Sequence, residues 1–197
     1  MTGHINWAHI QRLRGAEDKQ HKRAAVAASG ACQSVRYEGY GPGDVAVMVE
    51  CLTDNPDRVA AEVRNIFERF GGHLGADGAV SYLFNPVGLI VYPPGTPVPD
   101  LEDKAFEAGA EDVVTNEDGS VEVLTDPVEI ESVRGTLVSA GLVPADAEVT
   151  QRAWAAAEVE GDTAKSAVRL LDALEHLDAV QNVYSNAEIP NEVLASV

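Results

Sequence analysis

Two glycine clusters are the first residues in this chain whose types and spacing could do chemistry. One is Tyr37-Glu38-Gly39-Tyr40-Gly41-Pro42-Gly43, and the other places Gly71, Gly72, Gly75 and Gly78 around His73. Glycine-rich loops cradle phosphates when their backbone N–H groups open a helix. Neither cluster meets that requirement. The first precedes an apolar alternation that reads as a strand, and it lacks a Gly-Lys-Ser/Thr ending. The second follows a helical run, so Gly71 reads as a helix cap and the others as turn positions. Nucleotide binding is not expected, and no cofactor or small-molecule substrate is predicted. The histidines His4, His9, His21, His73 and His176 form no i, i+4 pair and no pairing with a cysteine, so no metal site is predicted. Cys32 and Cys51 are isolated, and Ser81 sits in a predicted strand without a nucleophile elbow. No catalytic residue emerges, and the protein is expected not to be an enzyme.

Aromatic side chains near cations give a different lead, because rings stack on unpaired bases while cations neutralise phosphates. Trp7 lies in a basic stretch with Arg12, Arg14, Lys19, Lys22 and Arg23, and these six are the candidate nucleic-acid contacts. Tyr37, Gly39, Tyr40, Gly41, Gly43 and His73 are the candidate contact-loop residues. Plainer roles stay open beside these: packing against the next strand for Tyr37 and Tyr40, helix anchoring for Trp7, local backbone bonding for His73.

The elements that must hold these residues follow from periodicity. Asp44 to Leu52 alternates at period two, with Val45, Val47, Val49 and Cys51 on one face and Ala46, Met48 and Leu52 on the other, interrupted by Glu50. Asn55-Pro56 then caps a helix carrying Val59, Val63, Ile66, Phe67 and Phe70, which Gly71 ends. Ala79 to Phe84 reads as a strand, broken by Asn85-Pro86. From Gly88 the order is strand (to Tyr92), helix (capped by Asp100, ended by Gly109), strand (Asp112–Asn116), strand (Ser120–Thr125), helix and strand (Ala147–Ala153). Asp118-Gly119 signals a two-residue hairpin between the paired strands. In the second helix Ile130, Val133, Leu137 and Ala140 face inward. That order is the ferredoxin-like βαββαβ pattern. Ala164 to Leu177 marks an amphipathic helix and Val180 to Ser185 its partner strand.

The fold class expected is therefore α+β, with two ferredoxin-like modules. Residues 1–36 form a short basic helical segment, 37–87 and 155–197 a discontinuous domain, and 88–154 a module inserted into it. One continuous sheet is the alternative that the same elements permit.

Charge narrows the function classes. The net charge is −18 over 197 residues, of which 45% are hydrophobic. Residues 1–37 hold six basic and two acidic groups, a net of +4, and the other 160 hold eight basic and thirty acidic, a net of −22. An acidic body repels a phosphate backbone at long range, so any nucleic-acid contact should be led by the N-terminal segment. No apolar run approaches the ~20 residues that span a bilayer. The alanine-rich stretch from Ala24 to Ala31 is interrupted by Ser29 and Gly30 and does not read as a signal peptide. A cytoplasmic location is expected, with no membrane partner.

Several longer motifs carry a family resemblance. Met1, Gly3, His4, Trp7, Ala8, Ile10, Ala16 and Asp18 open the chain, followed by the loop Tyr37 to Gly43 and Glu50-Cys51-Leu52-Thr53-Asp54-Asn55. Gly71-Gly72-His73-Leu74-Gly75 with Asp77-Gly78, Glu107-Ala108-Gly109-Ala110-Glu111-Asp112, and Val180-Gln181-Asn182-Val183-Tyr184 with Asn186 complete the set. Together they resemble the YebC/PmpR family. The resemblance implies a discontinuous domain with an insertion, and a regulator of gene expression that binds DNA. A ribosome-associated translation factor contacting RNA is the alternative it implies. The chain departs from the family pattern between Gln20 and Arg36, where members usually carry a basic helical domain of several dozen residues. It also has Ile5 and Asn6 where members usually have serine and lysine. That departure favours a third reading, a protein-interaction module that has lost nucleic-acid binding.

Overall fold

A strand with Val47, Val49 and Cys51 on one side and Ala46 and Met48 on the other has no polar face, so both faces must be covered. In the computed structural model, which describes residues 4–6, 32–116 and 118–194, this strand (β3, Ala46–Thr53) lies between two antiparallel neighbours. β2 (Gln33–Tyr40) pairs with it from Gln33↔Thr53 to Tyr40↔Ala46, and β10 (Val180–Ser185) pairs on the other side. β4 (His73–Leu74) joins the Gly39–Tyr40 end of β2, giving the order β10-β3-β2-β4.

Helices α1 (Pro56–Arg69) and α4 (Gly161–Glu175) cover one face of this sheet. Val59, Val63 and Phe67 of α1 and Ala164, Ala167, Val168, Leu171 and Leu174 of α4 pack with Val47, Val49 and Cys51 in a shared core. The start of α1 is set locally, because the Asn55 side chain accepts a hydrogen bond from the Arg58 N–H at 3.1 Å and Pro56 occupies the first turn. On the second face, Ala46 and Met48 pack against Val80 and Phe84.

That second face holds a buried carboxylate. Glu38, opposite Met48, is almost fully buried, and its carboxylate accepts hydrogen bonds from the N–H groups of Val80 and Ser81, each at 2.8 Å. Beside it the Tyr40 hydroxyl donates to the Ala79 carbonyl at 2.9 Å. Residues 79–81 are held by these side chains rather than by a strand ladder, and Ser81–Leu83 form a single 3-10 turn.

A second sheet of three short strands has the order β1-β11-β9. In it β1 (His4–Asn6) runs antiparallel and β9 (Ala157–Glu158) parallel to β11 (Ala187–Pro190). A one-turn helix, α5 (Asn191–Leu194), follows. These parts form one compact unit, made of the described residues 4–6, 32–84 and 153–194, and Asn85–Arg152 form another.

The second unit has its own core. β5 (Phe84–Tyr92), α2 (Val98–Ala108), β6 (Asp112–Thr115), β7 (Val121–Thr125), α3 (Ile130–Ser139) and β8 (Asp146–Ala153) follow in sequence, with sheet order β6-β7-β5-β8. Ile90, Tyr92, Val121 and Val123 face Leu101 and Ala105 of α2 and Ile130, Val133 and Leu137 of α3. The described chain is thus α+β, with four helices of ten residues or more.

Several local expectations change. Tyr37–Tyr40 belong to β2, not to a loop, because their backbone is committed to the β3 ladder. Ala79–Leu83 do not form the expected strand, for the reason given by Glu38, and Phe84 instead opens β5. Pro86 does not break β5: the β7 ladder begins only at Gly88↔Thr125, so no bond of that ladder needs a Pro86 N–H. α2 starts at Val98 after Pro97, and Asp100 lies inside it, paired with Lys104 at 2.9 Å. The Asn116 N–H bonds to the Ser120 carbonyl at 2.8 Å, so the hairpin loop spans three residues rather than two, with Gly119 at φ 84°. Ala140 is exposed. His4–Asn6 form a strand where a helical segment was expected, and β9, β11 and α5 were not foreseen.

Two outcomes follow from this packing. Phe67→Ala, which empties the centre of the first core, should cost about 3–5 kcal/mol in a denaturant titration. Glu38 gives a pH signature. Burial pushes its carboxyl pKa up, but the N–H groups of Val80, Ser81 and Gly78 and the Ser81 hydroxyl outweigh burial, leaving it below the usual value. A folded pKa below the unfolded one favours the fold above the unfolded value of about 4.3 and loses that contribution as pH falls through the folded value. Urea midpoints measured across this acid range should fall less steeply for Glu38→Gln than for the parent chain.

Candidate functional site

The two sets of predicted contacts fare differently. Trp7, Arg12, Arg14, Lys19, Lys22 and Arg23 lie outside the described residues. The glycine-cluster residues are all described, and they divide between the two faces of the first sheet.

Tyr37 points into the helix-covered core, where its hydroxyl donates to the Pro56 carbonyl at 2.8 Å. Burial, then the neighbouring Cys51 and Asp57, push its hydroxyl pKa up. This half-buried tyrosine fastens the first turn of α1 to β2. Gly39 is required by close approach: a Cβ there would lie 2.6 Å from the His73 carbonyl oxygen and 2.8 Å from the Phe67 ring. Gly41 is buried, its N–H bonded to the Val45 carbonyl at 2.8 Å. Gly43 turns the chain at φ 75° against Val159 and Thr163.

Tyr40 and His73 meet on the other face. They are cross-strand partners of β2 and β4, with ring centroids 5.7 Å apart and planes inclined by 32°. His73 is exposed and Tyr40 half-buried. The Tyr40 hydroxyl pKa is raised, first by hydrogen bonding with Tyr82. Tyr82 and Trp154, which periodicity did not single out, extend this cluster. The Trp154 indole N–H donates to the Tyr82 carbonyl, and the Trp154 backbone N–H to the Leu83 carbonyl, both at 3.0 Å. A strand reading of 79–84 hid Tyr82, and nothing local to Trp154 announces its partner 72 residues earlier.

The rest of the described surface is poor in free positive charge. Of the nine described cations, six are engaged by carboxylates: Arg36–Glu50, Arg58–Glu62, Lys104–Asp100, Arg134–Glu131, Arg152–Glu122 and Lys165–Asp162. The remaining three are Arg64 and Arg69 on α1 and Arg169 on α4, and Arg69 stacks over Phe70 at 5.5 Å. Glu50, the residue that interrupts the β3 alternation, accepts from Arg36, Asn182 and Tyr184 at 3.1–3.3 Å, which explains its place on a sheet face. Burial pushes the Cys51 thiol up to about 12, so it behaves as a small core residue rather than a nucleophile. Among the described residues no group of three or more His, Cys, Asp or Glu is placed to hold a metal. No described helix is long and apolar enough to cross a membrane.

Comparison with known proteins places this architecture. Residues 32–187 match the second and third domains of the TACO1/YebC family. A protein of Halorhodospira halophila named probable transcriptional regulatory protein is 48% identical over 171 residues, covering 87% of this chain and 69% of that protein. A Methylococcus capsulatus protein of the same printed description is 40% identical over 247 aligned positions spanning both proteins in full. This chain has 197 residues, so 50 of those 247 positions have no counterpart here. A Coxiella burnetii relative, also so named, is 51% identical over 160 residues, covering 81% of this chain and 66% of that protein. The crystal structure of a conserved hypothetical protein from Aquifex aeolicus superposes with a TM-score of 0.74 at 42% identity, covering 83% of this chain and 68% of that one. A match across most of the chain, together with these identities, shows that the chain belongs to the TACO1/YebC family.

Proposed function

We propose that the protein is a non-enzymatic regulator of gene expression that reaches DNA through its basic N-terminal segment, with Trp7, Arg12, Arg14, Lys19, Lys22 and Arg23 as contacts. The observation that carries this reading is the neutralisation of the body's own cations. Six of the nine are held by carboxylates, so the N-terminal segment is the one concentrated source of charge for phosphates. The names of the relatives, probable transcriptional regulatory proteins, support the same class of activity. The site of action for such a regulator is the cytoplasm.

The body then serves as a scaffold of two ferredoxin-like modules, residues 37–87 with 155–197 and the inserted 88–154. The order β6-β7-β5-β8 supports this for the insert, since it places the second, third, first and fourth strands of a βαββαβ unit side by side. The order β10-β3-β2-β4 reads the same way when β3 is taken as the first strand and β2 as the third. The other module is thus a permuted version.

Each of five cations that displaces a counterion from duplex DNA contributes about −0.9 to the slope of log affinity against log salt, so the slope should be roughly −4 to −5. Reversing the charge of Arg12, Arg14, Lys19, Lys22 and Arg23 together should abolish binding in a gel-shift or anisotropy titration. Unchanged binding by that variant would refute the DNA reading. The acidity of the body favours a second reading, a ribosome-associated translation factor, because ribosomes present basic proteins as well as RNA. That reading requires co-sedimentation with ribosomes after nuclease removal of DNA, and its absence across several salt conditions would count against it.

A further inference from the structure

Trp154 and Tyr82 are 65% and 63% exposed, yet the indole and backbone N–H bonds described above hold the Trp154 side chain against the backbone of residues 82 and 83. They join Tyr40 and His73 on the first unit: the Tyr40 and His73 rings meet, the Tyr40 hydroxyl bonds with Tyr82, and the Trp154 indole bonds to the Tyr82 backbone. Exposed rings held in place cost little further ordering when a partner stacks on them.

The charge around this run selects the partner. Asp44, exposed in the turn between β2 and β3, acts with Glu38 on the Tyr40 hydroxyl and helps to raise its pKa. Asp77, also exposed, lies two residues before the Ala79 carbonyl that Tyr40 holds. The three cations without a carboxylate partner sit on α1 and α4, which cover the opposite face of the sheet. A nucleic acid stacked here would bring phosphates to carboxylates. A cation would meet both the π-faces and the negative charge.

We propose that Tyr40, His73, Tyr82 and Trp154 form a docking surface for an arginine-rich segment of a protein partner, with Asp44 and Asp77 supplying the opposing charge at its edge. Guanidinium groups fit better than ammonium groups because they are planar, stack on rings and shed water more readily. The inference stands on the body alone and does not depend on the N-terminal segment contacting DNA.

The test is a fluorescence anisotropy titration of the full chain with three labelled probes: an arginine–glycine peptide, a lysine–glycine peptide of equal length and charge, and single-stranded oligouridylate. The arginine peptide should bind more tightly than the lysine peptide. Trp154→Ala and Tyr82→Ala should each weaken it roughly 3- to 30-fold, the range of a partly desolvated cation–π contact. Trp154→Phe, which keeps a ring, should retain most of the affinity, Asp44→Asn should weaken it by a smaller factor, and Phe106→Ala in the other unit should leave it unchanged. Thermal unfolding of each variant checks that the fold is intact. Equal affinity for both peptides, or no effect of the ring variants, would reduce the binding to diffuse attraction by an acidic body and overturn the proposal. Tighter binding of oligouridylate that is lost in Trp154→Ala would overturn it in favour of nucleobase stacking. Oligonucleotide binding that survives Trp154→Ala belongs to the N-terminal segment and leaves the docking proposal to the peptide arms.

Discussion

One carboxylate decides what the second face of the central sheet becomes. Burying a charged Glu38 on that face would cost several kcal/mol without partners, about what isolated buried charges cost after relaxation. The backbone supplies those partners from Val80 and Ser81. In return residues 78–83 cannot form a strand, and Val80 and Phe84 are brought over Ala46 and Met48. The same arrangement turns Tyr82 outward and sets the carbonyl to which the Trp154 indole bonds. The cover over the second face of β3, a 3-10 turn and an outward Tyr82 thus depend on a single buried acid.

Charge is divided in the chain as sharply as structure is. The body neutralises most of its own cations in local pairs, several of them three or four residues apart on one helix, such as Lys104–Asp100 and Arg134–Glu131. Exposed pairs of this kind contribute little to stability, typically under about 1 kcal/mol. Their effect is to take six of the nine described cations out of play as free positive charge.

Helices were the most legible part of the sequence because their signals are local. Asn55-Pro56 and the Val59, Val63, Phe67 stripe predict α1 closely, since cap, first-turn proline and buried face all lie within a few residues. The β1-β11-β9 sheet was illegible for the opposite reason: its strands have three, four and two residues, and pairings such as Ile5↔Ile189 and Ala157↔Ala187 carry no periodic trace. Of the site, Tyr40 and His73 were singled out as loop residues and stand on adjacent strands. Tyr37 was grouped with them by spacing, but the pleat sends it to the other face. Tyr82 could be recognised only once Glu38 had been seen to abolish the strand that its spacing suggested, and Trp154 only through its bond to a carbonyl 72 residues earlier.

The hydrogen bond from the Trp154 N–H to the Leu83 carbonyl, 3.0 Å long, joins the residues just before and just after the inserted segment. For the first unit, the chain therefore leaves and returns at one point. A loop whose ends already meet has paid its closure entropy regardless of what it contains, and that cost grows only slowly with length. In connectivity the insert is a side branch, free to lengthen, shorten or be exchanged without shifting the register of β2, β3 and β10.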